Sequence, residues 1–305
     1  MFKFKAQQKI FDVSGVMFGG QPGELPTVPI GSIFYFGHKK IELDEAKGTF
    51  NKEKAENLIN EQESLSDLTG NPGMIEVVGA TPEAMENEID FVSEVTEVPF
   101  MISSELPSAL ITGAQYVAEI GLEDKVIYNS LLKGMSKEEL EVVKDSGIKA
   151  AVLLAKNPLE ETASGKVEVV KDLLKLAERA NVDKPLIDVA SQAFGVRMGA
   201  AARAIYLLKD EYGYPVGMGT GNVITTSDWA RSKLSREILR TTYGSVNVIC
   251  QILGANWLLY GPIQYAKYIF PSVAIADSYV LTAAAEIGAK PYIDGMHPLF
   301  TMLRG

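Results

Sequence analysis

Short apolar runs alternate with amphipathic segments along almost the whole chain, and that alternation limits the fold more than any single residue does. The runs cover residues 28–35, 74–78, 100–103, 126–130, 150–155, 186–190, 216–218 and 258–260. They are rich in β-branched and aromatic residues and are nearly continuous in apolar character, as strands of a parallel sheet buried on both faces are. Between them lie segments with helical signals. Thr81-Pro82-Glu83 offers a cap, a proline for the first helical position and an early acid. Ser136-Lys137-Glu138-Glu139 reads as a capping box. Eight strand–helix units in 305 residues fit a (β/α)8 barrel, with an open doubly wound sheet as the other arrangement. No linker or charge block divides the chain, so residues 1–305 read as one domain. At the start, Ser14-Gly15 between two apolar runs predicts a short hairpin at about residues 9–19.

Composition excludes several functions. The single Cys cannot form an internal disulfide, and one Cys with two His cannot build the usual structural zinc site. The chain carries 29 Lys+Arg against 39 Asp+Glu, a net charge of −10, which argues against binding a nucleic-acid backbone. Residues 241–266 hold no charge and are long enough to span a bilayer. However, Asn247, Gln251, Asn256, Pro262 and Gln264 interrupt them, so they read as a buried helix, a turn at Gly254 and a buried strand. The expectation is a soluble, cytoplasmic protein with no membrane span of its own.

In a barrel of this kind the site lies at the C-terminal strand ends. Those ends supply Glu76, Ser103, Asn129, Lys156, Asp188 and Asn222. Amides and carboxylates there suit a flat heterocycle with alternating donors and acceptors. Each has a plainer reading. Asp188 could hold a helix N-terminus, Asn222 could be a turn residue, and Asn129 is open on spacing alone. Lys156 would form an imine if desolvated, giving a barrel lyase as another function class, or else it is a solvated loop lysine. His38 and His297 read as structural loop residues, and Cys250 as a small buried hydrophobe. The loop Gly217-Met218-Gly219-Thr220-Gly221 is a weak phosphate signal, because it lacks a P-loop lysine.

The same segments carry a family resemblance. Gly19-Gly20-Gln21-Pro22-Gly23-Glu24, Gly31-Ser32-Ile33-Phe34-Tyr35, Leu65-Ser66-Asp67-Leu68-Thr69-Gly70-Asn71-Pro72, Val78-Gly79-Ala80-Thr81-Pro82-Glu83-Ala84, Ile127-Tyr128-Asn129-Ser130, Gly213-Tyr214-Pro215-Val216-Gly217 and Leu259-Tyr260-Gly261-Pro262-Ile263 carry it. With them the chain resembles the MtrH family over almost its whole length: the H component of tetrahydromethanopterin S-methyltransferase and its soluble bacterial relatives. The resemblance implies a pterin-binding (β/α)8 methyltransferase, a homodimer, and methyl transfer between a corrinoid (cobalamin) protein and N5 of a reduced pterin. It further implies that Asn129, Asp188 and Asn222 contact the pterin, with Asn222 stabilising charge at N5 as the catalytic residue. Where the family pattern commonly has an Asp after the third strand, this chain has Ser103, and Glu76 is the candidate to compensate. That departure, with Val223-Ile224-Thr225-Thr226-Ser227-Asp228-Trp229 after Asn222, favours tetrahydrofolate as the pterin, with tetrahydromethanopterin as the alternative. The chain lacks the Asp-x-His-x-x-Gly signature of corrinoid-carrying domains, so the corrinoid is expected on a partner protein. A noncatalytic pterin-binding component is a third reading.

Overall fold

The computed structural model describes residues 2–191, 198–293 and 295–304. Its eight parallel strands are β1 (Val28–Ile33), β2 (Met74–Val78), β3 (Phe100–Ser103), β4 (Val126–Leu131), β5 (Ala150–Leu154), β6 (Lys184–Asp188), β7 (Val216–Gly219) and β8 (Trp257–Pro262). Each pairs with its neighbour in sequence, and β8 pairs back onto β1, closing the barrel. The strands alternate with α1 (Lys52–Thr69), α2 (Pro82–Val95), α3 (Pro107–Glu119), α4 (Lys137–Asp145), α5 (Ala163–Arg179), α6 (Met198–Glu211), α7 (Arg236–Ile252) and α8 (Ala266–Ala285). The closed barrel replaces the open-sheet arrangement. The caps form as their residues predict: Thr81 Oγ1 accepts from Ala84 N, and Ser136 Oγ from Glu139 N.

The N-terminal hairpin, Ile10–Val13 with Val16–Gly19, stoppers the bottom of the barrel. Its turn has positive φ at both Ser14 (44°) and Gly15 (91°), which matches the twist of the flanking strands. Val13, Val16 and Phe18 pack against the inward residues Val28, Ile30, Met74, Met101, Ile127 and Trp257. Gly19 sits at φ 114°, and a Cβ there would drive into the Lys9 carbonyl, so only glycine fits. The fully buried Lys209 of α6 holds the hairpin down. Its ammonium donates to Gly20 O (3.0 Å) and Asn256 Oδ1 (2.8 Å), while Asn256 Nδ2 donates to Gly19 O (2.9 Å).

The uncharged stretch 241–266 resolves into the end of α7, a turn at Gly254 (φ 111°) and β8, but the helix is buried on one face only, with Ile249 and Ile252 exposed. Among the described residues, one helical segment is long and apolar enough to cross a membrane by length and composition. It is Ile263–Ala285, the α8 region, and half of its apolar window is buried. This segment carries a buried acid into the protein core. Asp277 accepts from Thr27 N (2.9 Å), Thr27 Oγ1 (2.8 Å), Asn71 Nδ2 (2.7 Å) and Gln251 Nε2 (2.6 Å). One carboxylate thereby ties α8 and α7 to the chain entering β1 and β2.

Proline preference places the start of the last helix at Pro271, but α8 begins five residues earlier, at Ala266, with Pro271 inside it. Pro271 and Lys267, whose carbonyl loses its partner, both lie on the exposed face, where water replaces the missing bond. A second small hairpin (Glu42–Asp44 with Thr49–Phe50) and the helix Pro298–Arg304 have no strong sequence signal.

Candidate functional site

Inward-facing positions recur every second residue along a strand. In the lower barrel they are apolar: Ile30, Met74, Met101, Ile127 and Leu186. Two residues further toward the C-terminal end, the same faces carry Ser32, Glu76, Ser103, Asn129 and Asp188. The polar layer thus arises from one alternation applied to five strands. On β7 both inward positions are glycine. A Cβ at Gly217 would occupy the Trp257 ring, so that indole fills the space a β7 side chain would take. Gly217 of this loop admits the Trp257 ring and Gly221 the backbone of Tyr260 and Gly261, and a five-residue helix (Gly221–Thr225) follows.

The structure brings Glu76, Ser103 and Asn129 into one network. Ser32 Oγ donates to Glu76 Oε2 at 2.5 Å, and Asn129 Nδ2 donates to Glu76 Oε1 at 3.1 Å and to Ser103 Oγ at 3.4 Å. Because its nitrogen faces inward, Asn129 turns its carbonyl oxygen away from Glu76 as an acceptor. Burial pushes the Glu76 carboxyl above its ordinary pKa, against the pull of the Ser32, Ser103 and Asn129 hydrogen bonds. A carboxyl from β2 thus lies within hydrogen-bonding reach of Asn129, which in turn reaches Ser103 at the end of β3.

Asp188 and Asn222 approach from the other side, around Gly219. A Cβ built on Gly219 would lie 3.7 Å from Asn222 Nδ2 and 3.9 Å from Asp188 Oδ2. Asp188 Oδ1 accepts from Ala190 N at 2.7 Å. Burial raises the Asp188 carboxyl to about 6, opposed by the Ala190 N–H, the Lys166 ammonium and the Gly219 N–H. Asn222 is exposed in the first turn of its short helix, and no hydrogen bond to its side chain is found among the described residues. A turn role does not occupy its amide. The mouth cavity measures about 840 Å³. It is lined by Glu76, Ser103 and Asn222 together with Tyr35, Phe36 and Leu259. Asn129 and Asp188 do not line it themselves; Asn129 is hydrogen-bonded to the lining residues Glu76 and Ser103, and Asp188 lies buried beside Gly219.

Other candidates fall outside this layer. Lys156 is exposed at the start of the loop after β5 and is not among the cavity-lining residues. The desolvation that would make it an imine former is missing, so the lyase reading loses its residue. His38 is buried and stacks on Tyr35, and burial lowers its pKa to about 4. His297 is buried near the bottom of the barrel, likewise lowered to about 4. Cys250 is a buried thiol, raised to about 12 by burial. Among the described residues no group of three or more His, Cys, Asp or Glu side chains could hold a metal ion. The sequence reading missed buried Lys166, whose ammonium reaches the turn after Asp188. Its signal was present, because Lys166 falls on the same helix stripe as Val170, Leu173 and Ala177.

The family model for the tetrahydromethanopterin S-methyltransferase MtrH subunit matches residues 6–292. The chain belongs to this family. The MtrH protein of Methanothermobacter thermautotrophicus, named as the H component of tetrahydromethanopterin S-methyltransferase, is 42% identical, covering 99% of this chain and 100% of that protein. A protein of Methanosarcina barkeri, named as the H component of a putative methyltransferase mtx, is 38% identical over 98% of this chain and 99% of its own length. Among solved structures, a Yersinia pestis DHPS bound to a pterine-sulfa conjugate aligns with a TM-score of 0.59 at 12% identity, over 91% of this chain and 100% of that one. Dihydropteroate synthase from Xanthomonas albilineans, in complex with 7,8-dihydropteroate, aligns at 0.57 and 16% identity, over 92% of this chain and 99% of that one. At such identities these two likenesses speak for the barrel alone.

Proposed function

We propose that this chain is a methyltransferase whose barrel mouth binds a reduced pterin, and that methyl passes between the pterin N5 and a corrinoid carried by a partner protein. The observation that carries the reading is the polar layer at the mouth, where Glu76, Ser103 and Asn129 form one network and Asp188 and Asn222 flank Gly219. The layer presents oxygen acceptors to the N–H donors of an aminopyrimidinone edge, and Asn222 is left free to hold charge at N5. The corrinoid supplies the methyl-exchanging cobalt. The chain's own residues bind and orient the pterin and exclude water from it.

Membership of the MtrH family favours tetrahydromethanopterin over tetrahydrofolate, the pterin that Ser103 and the 223–229 segment suggest from sequence. The connections and helix starts that follow the barrel strands expose Phe36, Leu106, Leu132, Leu159, Met198 and Trp229. Exposed apolar side chains ringing a cavity suit the docking of a protein rather than of a free small molecule. A separate apolar face, with Ile249 and Ile252 on α7 and Ile275 and Tyr279 on α8, supports a homodimer. The test is methyl transfer from a methylated corrinoid to each pterin, followed optically. Turnover with tetrahydromethanopterin supports the reading, and transfer to neither pterin overturns it.

A further inference from the structure

Lys166 of α5 is fully buried beneath the end of β6. Its ammonium donates to Ala190 O at 2.9 Å. Ala190 has φ 53°, a left-handed conformation that a residue with a Cβ adopts only when its surroundings hold it there. Its own N–H donates to Asp188 Oδ1 at 2.7 Å. One ammonium therefore fixes a turn whose other end grips one carboxylate oxygen, leaving Oδ2 on the side of Gly219 and Asn222. We propose that Lys166 is the positioning residue for Asp188, holding the 188–190 turn through Ala190 and placing a positive charge behind the carboxylate beside the mouth. The inference rests on the pterin reading only for its consequence in binding; the link between the two side chains through the Ala190 turn stands on the two hydrogen bonds.

The charges that face this pair can be named. Glu76 across the mouth raises the Asp188 carboxyl, while the Lys166 ammonium and the Ala190 and Gly219 N–H groups lower it. Glu161 and Lys156 act on Lys166 with opposite signs, and burial lowers it most. The Cys250 thiol on α7 feels the Asp188 charge, but burial holds it protonated at neutral pH. Among the described residues, Lys166 is thus the cation that acts on Asp188. Without it, the carboxyl retains the protonating influences of burial and Glu76 and loses an opposing one. An Asp188 that titrates near neutrality becomes an O–H donor toward ligand N–H groups.

The experiment follows the Asp188 carboxyl carbon by NMR titration of the ligand-free protein, assigned with an Asp188→Asn sample. In parallel, tetrahydromethanopterin affinity is measured against pH. Lys166→Met removes both the charge and the donor, Lys166→Gln keeps a donor without the charge, and Lys166→Arg keeps the charge. The first two raise the carboxyl midpoint by about one pH unit or more, and the acid limb of binding moves with it. Lys166→Arg keeps the wild-type midpoint. An unchanged midpoint in either neutral variant that folds, or an equal shift in Lys166→Arg, overturns the proposal. A shifted midpoint in a protein that binds no reduced pterin leaves the coupling intact and removes the ligand reading instead.

Discussion

Asp188→Asn is nearly isosteric, yet it separates the carboxylate's two oxygens. The inner one must remain an acceptor, because the Ala190 N–H lies 2.7 Å from it. The amide oxygen therefore takes that place, and the NH₂ takes the place of Oδ2, facing Gly219 and the mouth. A ligand edge of N–H donors then meets a donor. Hydrogen bonds to charged groups contribute about 1.5–3 kcal/mol each, and unpaired buried donors add their own cost. One lost charged bond together with one unpaired donor gives a loss of about 3–4 kcal/mol, on the order of several hundredfold in affinity. The Ala190 bond survives, while the Gly219 N–H and the Lys166 ammonium lose the carboxylate they face, so thermal melting is followed in parallel to establish that the variant is folded. Titration calorimetry with a reduced pterin at pH 7.5 reads the loss. The pH dependence carries a sign. The Asp188 carboxyl sits at about 6 in the folded protein, so affinity that needs the carboxylate is present above that value and fades as pH falls through it. The Asn variant shows no such limb. A folded Asp188→Asn protein that binds within threefold of wild type, or keeps the acid limb, refutes the assignment.

Three further outcomes follow from the same structure. Asn222→Ala, a side chain exposed at the cavity, lowers the methyl-transfer rate without changing thermal stability, and full activity would remove its role at N5. Asp277→Asn leaves two of its four donors facing an amide NH₂, and urea unfolding should show a loss of about 3 kcal/mol after relief of the buried charge. Lys209 is lowered by burial from 10.5 to about 7, so the unfolded chain binds the extra proton between those values and stability rises with pH across that window. Lys209→Met flattens this slope, loosens the N-terminal hairpin and exposes its amides to hydrogen exchange.

The barrel was legible because its strands are short, mainly apolar runs set between helical signals, and bounds such as Met74–Val78 follow directly. The site was legible where a polar residue interrupts such a run, as Asp188 does after Leu186-Ile187 and Asn129 after Ile127-Tyr128. Glu76 showed only as a candidate, since its link to Asn129 crosses from β2 to β4 and no local spacing encodes it. The buried ions Lys166, Lys209 and Asp277 were missed for one reason. A charged residue in a helix reads as solvent-facing unless its phase is followed. Lys166 lies four residues before Val170, Lys209 four after Ile205, and Asp277 four after Val273, all on buried stripes. The start of α8 was misplaced because proline preference for a first turn outweighed the apolar residues 266–270. The pterin's identity has no such local mark, because Ser103 and the 223–229 segment point toward tetrahydrofolate while family membership points toward tetrahydromethanopterin.

The most direct test is side-by-side calorimetric binding of tetrahydromethanopterin and tetrahydrofolate to the intact chain, with Asp188→Asn as the control. The account predicts one-to-one binding per chain, tighter for tetrahydromethanopterin and lost in the variant. Binding of neither pterin, or binding that the Asp188→Asn protein retains in full, contradicts it.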